Sequence, residues 1–199
     1  MKKLLLLSTL SLLSWSLIAS AQTTKPEELE TLVLSDSLSY DDINKTSTFT
    51  GHVILTRGLM RLTADKLLLK EDSQGTQHGT ATVSESPKVT VFEERPETYE
   101  TIYAEGKQAT YSGDTEIVKL TGQSIVIRRV CGKVVDTLRG DIITYNSKNN
   151  TYSAEGGANT PDNGRVRSVV QARPKVDAAV EECRVRYHGK PMPSSINKN

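Results

Sequence analysis

Apolar and polar residues alternate with a period of two along most of the chain between residues 31 and 171. From Phe49 to Leu55 the odd positions are apolar or glycine, while the even ones are mostly polar. Such alternation is typical of a β-strand with one buried face. Further strands are predicted at 88–92, 123–130, 132–145 and 165–171. No segment from 22 to 171 has a convincing 3.6-residue period, so the pattern predicts an all-β protein.

A change of parity within residues 59–69 predicts a β-bulge. The apolar positions are even as far as Ala64 and odd from Leu67 onward. One extra residue in a strand shifts the following side chains to the other face. We therefore expect a bulge near Asp65 and Lys66.

A repeat of hairpin size runs through the β region. Tyr40, Tyr111 and Tyr145 are each followed by a polar turn and, eleven positions on, by a glycine. The residue four positions before the tyrosine is acidic in the first and third copies and is Lys107 in the second. Each copy is predicted to be a β-hairpin. Because a hairpin cannot bury its apolar face alone, the copies must share a core.

The first 21 residues have the three parts of a secretory signal peptide. Lys2 and Lys3 precede an apolar stretch, which ends in an A-x-A motif at residues 19–21. We expect cleavage after Ala21, which would make the mature chain an exported protein. No later apolar run approaches the ~18 residues of a membrane-spanning helix. Anchoring by an uncleaved signal peptide is the less favoured alternative.

The rest of the chain divides into three parts. Residues 22–30 form an N-terminal lead, and residues 31–171 form one β domain. Residues 172–199 contain three prolines and scattered charge, a composition that predicts a mostly disordered tail. Within this tail, only residues 176–185 are compatible with a short helix.

The charge balance narrows the range of functions. The chain has 25 Lys and Arg against 24 Asp and Glu, and it has no basic block. A nucleic-acid-binding protein needs many Lys and Arg that neutralise phosphates. The composition therefore argues against nucleic acid as a partner.

No motif nominates a catalytic or metal site. His52, His78 and His188 fall on a polar strand face, in a loop and in the tail. Metal sites need ligands at short fixed spacing, and no such spacing occurs. Adjacent acidic residues fall in turns, a loop or the tail, where solvated carboxylates are expected rather than a glycosidase pair. We therefore predict no enzyme activity, no metal and no cofactor.

The chain has two cysteines, Cys131 and Cys183. In an oxidising compartment we expect them to form an intramolecular disulfide, which would tie the tail to the strand region near Gly132. On the chain-entropy model, a loop of that length contributes roughly 4 kcal/mol to stability. Two free thiols and an intermolecular bridge are the alternatives.

The repeat segments, taken in order, resemble the OstA-like family. The resemblance covers about residues 31–171, while the tail, the cysteine pair and Lys107 depart from the family pattern. The segments that carry it are 35–40, 48–53, 62–67, 104–106, 120–122 and 138–145.

This resemblance implies an open β-jellyroll, in which two antiparallel sheets form a V with an apolar groove inside. It implies that the groove binds the acyl chains of lipopolysaccharide, in its lipid A part. The protein would pass them across the periplasm from an inner-membrane complex to an outer-membrane translocon. The implied partners are an LptC-like inner-membrane protein, an LptD-like outer-membrane protein and further copies of the chain joined head to tail.

The parity of the apolar positions indicates which side chains face the groove. A closed core and a lipid groove look alike in sequence, so a structural or adhesive β-solenoid of the cell envelope without lipid cargo is the main alternative. A carbohydrate-active enzyme is a third and less favoured possibility. The predicted groove residues are Phe49, Val53, Leu55, Leu62, Leu67, Leu69, Val91, Leu120 and Ile125.

An open jellyroll leaves a strand edge at each end, and an uncovered edge is a template for another strand. A tail tied back by the cysteines, capping the C-terminal edge, is the competing possibility. The residues expected at the edges are Leu32, Val33 and Leu34 at the N-terminal end and Val166, Val169 and Val170 at the C-terminal end. Candidates for phosphate contacts at the groove rim, each also explained as an ordinary solvated charge, are Arg57, Arg61, Arg128, Arg129, Arg165 and Arg167.

Overall fold

A computed structural model describes residues 30–84, 88–149, 151–158, 160 and 163–196. The predicted signal peptide and nearly all of the N-terminal lead lie outside the described residues. The elements within them are β1 (Thr31–Leu34), β2 (Ser37–Asp41), β3 (Thr46–Arg57), β4 (Met60–Glu71), β5 (Gln77–Thr82), β6 (Val89–Arg95), a 3-10 turn (Pro96–Thr98), β7 (Glu100–Gly106), β8 (Gln108–Ser112), β9 (Ile117–Val130), β10 (Lys133–Asn146), β11 (Thr151–Glu155), β12 (Arg167–Val170) and α1 (Arg173–Arg186).

The strands form one continuous antiparallel network that divides into two sheets. The long strands β3, β4, β9 and β10 run through both of them. Sheet I has the strand order β2-β3-β4-β5-β8-β9-β10-β11. Sheet II has the order β1-β3-β4-β6-β7-β9-β10-β12. The predicted all-β jellyroll is confirmed.

The long strand β3 passes from one sheet to the other at a bulge. Gly51 and His52 have φ angles of +80° and +45°, and the pairing with β4 resumes at Val53. Two residues of β3 therefore lie opposite Asp65 alone. The parity change was predicted to come from an extra residue in β4, but the extra residue is on β3. Glycine suits the first position because it adopts positive φ without strain.

The tyrosine repeat corresponds to three hairpins of sheet I, formed by β2 with β3, β8 with β9, and β10 with β11. The side chain four positions before the tyrosine lies over a glycine of the partner strand in the first two copies. A Cβ built on Gly51 would be 2.1 Å from Asp36 Oδ2, and one built on Gly122 would meet the Lys107 side chain. Lys107 therefore takes the same place as the acidic residue of the first copy.

The main core lies between the two sheets and is aliphatic. Leu67, Ala81 and Leu120 contribute from sheet I, while Val89 and Ala104 contribute from sheet II. The interior combines the inward-facing side chains of both sheets, as expected for two half-buried antiparallel sheets that face each other.

The C-terminal residues differ from the expectation of a mostly disordered tail. Residues 173–186 form α1, and Cys183 of this helix is bonded to Cys131. Ala179 and Cys183 lie four positions apart, so they share one face of the helix and are buried. The helix is held by this tertiary contact. It includes the residues 176–185 for which a short helix was the expected possibility.

Candidate functional site

Sheet I carries an apolar row of side chains from one edge to the other, which we call row I. Each member is the cross-strand partner of the next, and the central ones belong to the core between the sheets. Its members are Leu38, Phe49, Leu67, Ala81, Ala109, Leu120, Ile143 and Ala154.

Sheet II carries a matching row, which we call row II. It also begins at the N-terminal edge of the domain and ends at the C-terminal edge, on β12. Its members are Val33, Leu55, Leu62, Val91, Ala104, Val126, Leu138 and Ser168. Rows I and II together line the space between the sheets along its whole length.

Eight of the nine predicted groove residues belong to or pack against this interior cluster. Ile125 is the exception, because its neighbour Val126 packs against the cluster and adjacent residues of a strand face opposite ways. Ile125, Val126 and Ile127 are all apolar, so alternation could not assign the face in this part of β9. Whether the eight side chains contact lipid stays a prediction.

Several interior residues were missed by sequence reasoning. Ala81, Ala104 and Ala109 are small and carry little hydrophobic signal, yet they are buried in the cluster. Val33 was assigned only to the N-terminal edge, but it also belongs to row II. Counting strand register from the hairpin turns would have placed the alanines in register with the longer apolar residues.

A second row crosses sheet I on the same face as row I, two residues nearer to the hairpin turns. Tyr145 and Tyr152 stack there with ring centroids 4.4 Å apart. Burial raises the pKa of Tyr152, and the nearby Arg95 guanidinium partly offsets this. We call these residues the tyrosine row: Tyr40, Ser47, Leu69, Gly79, Tyr111, Val118, Tyr145 and Tyr152.

Ion pairs border the interior on sheet II. Arg128 lies on the same face of β9 as Val126, and its guanidinium is 2.6 Å from Glu100 Oε1 and 2.6 Å from Asp136 Oδ2. Burial favours a lower pKa for Arg128, but the two carboxylates raise it overall. Arg128, one of the predicted phosphate contacts, therefore already forms ion pairs with two carboxylates. Arg61, another of them, donates a hydrogen bond to the Ile196 carbonyl at 3.2 Å.

Each end of the two-sheet structure presents open strand edges. Among the described residues, β1 and β2 at the N-terminal end pair only with β3, and Leu32 and Leu34 are exposed. In the same part of the chain, β11 and β12 at the C-terminal end pair only with β10, and Val169 and Val170 are exposed. All four residues of β12 are exposed. Within the described residues 172–196, the tail therefore does not pair with this edge, contrary to the competing possibility.

The described ranges contain neither a metal-binding cluster of side chains nor a membrane-spanning helix. No group of three or more His, Cys, Asp or Glu residues there is arranged to hold a metal ion. In the same part of the chain, no helix is long and apolar enough to cross a membrane.

Known proteins resemble this chain in sequence and in fold. Residues 32–151 match the family described as LptA/(LptD N-terminal domain) LPS transport protein. The lipopolysaccharide export system protein LptA of Escherichia coli K12 is 29% identical over 138 residues, which span 68% of this chain and 69% of that protein. LptA of Shigella flexneri has the same identity and coverage.

A solved structure has the same fold. It is the crystal structure of LptH, the LptA homologous periplasmic component of the conserved lipopolysaccharide transport device from Pseudomonas aeruginosa. The TM-score is 0.61 with 24% sequence identity, and the match covers 73% of this chain and 97% of that one. At this identity, the likeness supports the fold alone.

Proposed function

The chain belongs to the family of LptA/(LptD N-terminal domain) LPS transport proteins, and from this premise we propose that it carries lipopolysaccharide with the acyl chains between its two sheets. The family is a transport family and not an enzyme family. The observation that carries the proposal is the pair of rows I and II, which run from one open edge of the domain to the other and are apolar apart from Ser168 at the end of row II.

The interior suits acyl chains because it offers apolar area rather than polar pairs. Burial of a methylene group is worth about 0.8 kcal/mol, so several acyl chains bind tightly without specific hydrogen bonds. Phe49, Leu62 and Val91 are partly buried and border the packed centre of the cluster. These side chains are the ones an entering acyl chain would meet first.

The tyrosine row supports the same orientation of the lipid. Tyrosine has an apolar ring and a polar hydroxyl, and it is favoured where an apolar region meets water. Tyr111, Tyr145 and Tyr152 lie on the inner face of sheet I nearest to the turns. The acyl chains would lie deeper, along rows I and II, and the charged headgroup would remain near the tyrosines and the solvent.

The open edges support head-to-tail assembly. Joining the C-terminal edge of one copy to the N-terminal edge of the next is a heterologous contact, which extends into a filament unless rotation closes it. Row II ends at Ser168 on β12 and begins at Val33 on β1. Such pairing would therefore bring row II of one copy next to row II of the following copy, with the small Ser168 at the junction.

The same open edges could also pair with the proteins at the two ends of the assembly. We infer that an LptC-like inner-membrane protein pairs with one edge of the assembly and an LptD-like outer-membrane protein with the other. Lipopolysaccharide would then cross the periplasm from the inner-membrane complex to the outer-membrane translocon. The predicted export signal supports this location.

A structural envelope protein without lipid cargo is the second candidate. Val53, Ala81 and Val89 at the centre of the cluster are fully buried by protein alone, as in an ordinary closed core. Mass spectrometry of the protein purified from a lipopolysaccharide-producing cell distinguishes the two. Co-purified glycolipid in stoichiometric amount supports transport, and its absence under mild extraction supports the structural role.

A further inference from the structure

The predicted docking strand β12 is weakly held within the domain. It has four residues, all of them exposed, and among the described residues its one partner strand is β10. A strand with few buried contacts opens at low free-energy cost. Something outside the strand must therefore keep it in place if it is to act as a template.

The chain directly after β12 is fastened to the end of sheet II. The Gln171 amide donates to the Val135 carbonyl at 2.8 Å, and α1 begins two residues later. Ala179 and Cys183 of the helix are buried in a second apolar cluster with Tyr99, Val130 and Val135.

The disulfide adds a covalent link to the packing of the helix. An isolated helix of fourteen residues is marginal in water, because nucleation is costly. Ala172 at the N-terminus provides no side-chain capping hydrogen bond. The Lys133–Glu182 ion pair is largely exposed, and such pairs contribute little. The Cys131–Cys183 bond, with a Cα–Cα distance of 5.5 Å, joins the helix to the turn between β9 and β10.

A further segment, which we call the strap (residues 190–196), runs from α1 across sheet II. The Met192 amide donates to the Pro96 carbonyl at 3.1 Å. The Ser194 hydroxyl donates to Glu94 at 2.6 Å, and the Ser195 amide donates to the same carboxylate at 3.0 Å. Burial favours a higher pKa for Glu94, but these serine hydrogen bonds lower it overall.

We propose that α1, the Cys131–Cys183 disulfide and the strap form an anchor that positions β12 for pairing with a second copy of the chain. The inference rests on the proposed function, because the position of β12 matters for transport only if copies join through it. The anchor holds β12 from its C-terminal side, and no described strand pairs with the outer backbone edge of β12. Cys183 and α1 lie beyond residues 32–151, which match the transport family, whereas Cys131 lies within them.

Hydrogen exchange tests the anchor without lipid or assembly. The purified protein is compared as oxidised protein, after reduction with a phosphine, and after reoxidation, at a concentration where it is monomeric. We expect reduction to accelerate the exchange of the β12 amides by a factor at least tenfold larger than the factor for the β8 amides on sheet I. Reoxidation should restore the slow exchange of β12. An equal change in β8 and β12, or no change in β12, would overturn the proposal.

Sizing of the same three samples over a concentration series tests the consequence. We expect concentration-dependent growth of the oxidised protein, loss of growth on reduction and its return on reoxidation. Unchanged growth after reduction, with β12 loosened, would show that β12 is not the docking strand and would overturn the positioning role. An oxidised protein that stays monomeric but binds glycolipid contradicts head-to-tail docking, and with it this proposal, while the lipid groove stands.

Discussion

Asp36 Oδ2 lies 2.7 Å from His52 Nδ1, at the bulge where β3 passes from sheet I to sheet II. The hydrogen bond and charge of Asp36 raise the pKa of His52 above its ordinary value. Both side chains are exposed, so the pair is a local reporter of the bulge rather than a large source of stability.

We predict that Asp36→Asn lowers the pKa of His52 toward that of a free histidine. Because the folded-state pKa of His52 is raised, its contribution to stability is present below the unfolded pKa and is lost as the pH rises through the folded pKa. NMR titration of the His52 ring protons measures the shift, with His188 in the tail as the internal control. An identical midpoint in wild type and variant would contradict the contact.

The glycine at the same bulge provides a second test. Gly51→Ala introduces strain from φ +80° and a clash with Asp36, whereas Gly75→Ala has φ +81° and no atom within 4 Å of the new Cβ. We predict that Gly75→Ala lowers the free energy of unfolding by about 1 kcal/mol and that Gly51→Ala lowers it by about 1 kcal/mol more. Urea unfolding of both variants measures the difference. Equal losses would show that the close approach of Asp36 carries no cost.

The interior predicts different effects for neighbouring positions of β3. Leu55 belongs to row II, and Thr56 faces the opposite side of the strand. We expect Leu55→Asp to reduce glycolipid binding at least tenfold, because it places a charge among acyl chains, while Thr56→Asp retains binding. Binding of fluorescent lipopolysaccharide and far-UV circular dichroism are measured together. A Leu55→Asp protein that unfolds outright would support a closed core instead.

The backbone of β12 indicates how to block assembly selectively. Because the Gln171 amide donates to β10 and amides alternate along a strand, the Val169 amide also points to β10 and the Val170 amide points outward. We predict that Val170→Pro abolishes concentration-dependent growth without releasing β12, since it removes an outward donor. Val169→Pro is the control that should release β12 from β10. Sizing and hydrogen exchange distinguish them, and unchanged growth in Val170→Pro would contradict edge pairing.

The sequence predicted those parts of the fold that leave a local pattern along the chain. The alternation around Phe49 and the three tyrosine hairpins predicted an all-β protein, because each is a local pattern that register then repeats across the sheet. The jellyroll arrangement of the strands was implied by the family resemblance. The face of Ile125 could not be predicted, because three consecutive apolar residues erase the alternation. The sequence indicated a short helix at 176–185, which is the greater part of α1, but set it in a mostly disordered tail. The ordered tail could not be predicted, because α1 is stabilised by a disulfide and by burial of Ala179 and Cys183 rather than by its own periodicity.

The position of the bulge and the burial of the small interior residues also depend on contacts between strands, which a local pattern does not reveal. The parity change after Ala64 was visible in the sequence, but its origin in β3 depends on the pairing of two strands. Ala81, Ala104 and Ala109 are interior only because register aligns them with Leu67, Val91 and Leu120. The register between two strands cannot be predicted from the sequence of either strand alone.

Photo-crosslinking in living cells tests most directly whether the space between the sheets holds lipopolysaccharide. A benzophenone amino acid is introduced at Phe49, which lies in row I, and separately at Thr48, which is adjacent on β3 and faces the other side. We predict an ultraviolet-dependent adduct with lipopolysaccharide from position 49 and little or none from position 48. Adducts of equal yield at both positions, or none at position 49 in a folded and exported protein, would contradict transport through this interior.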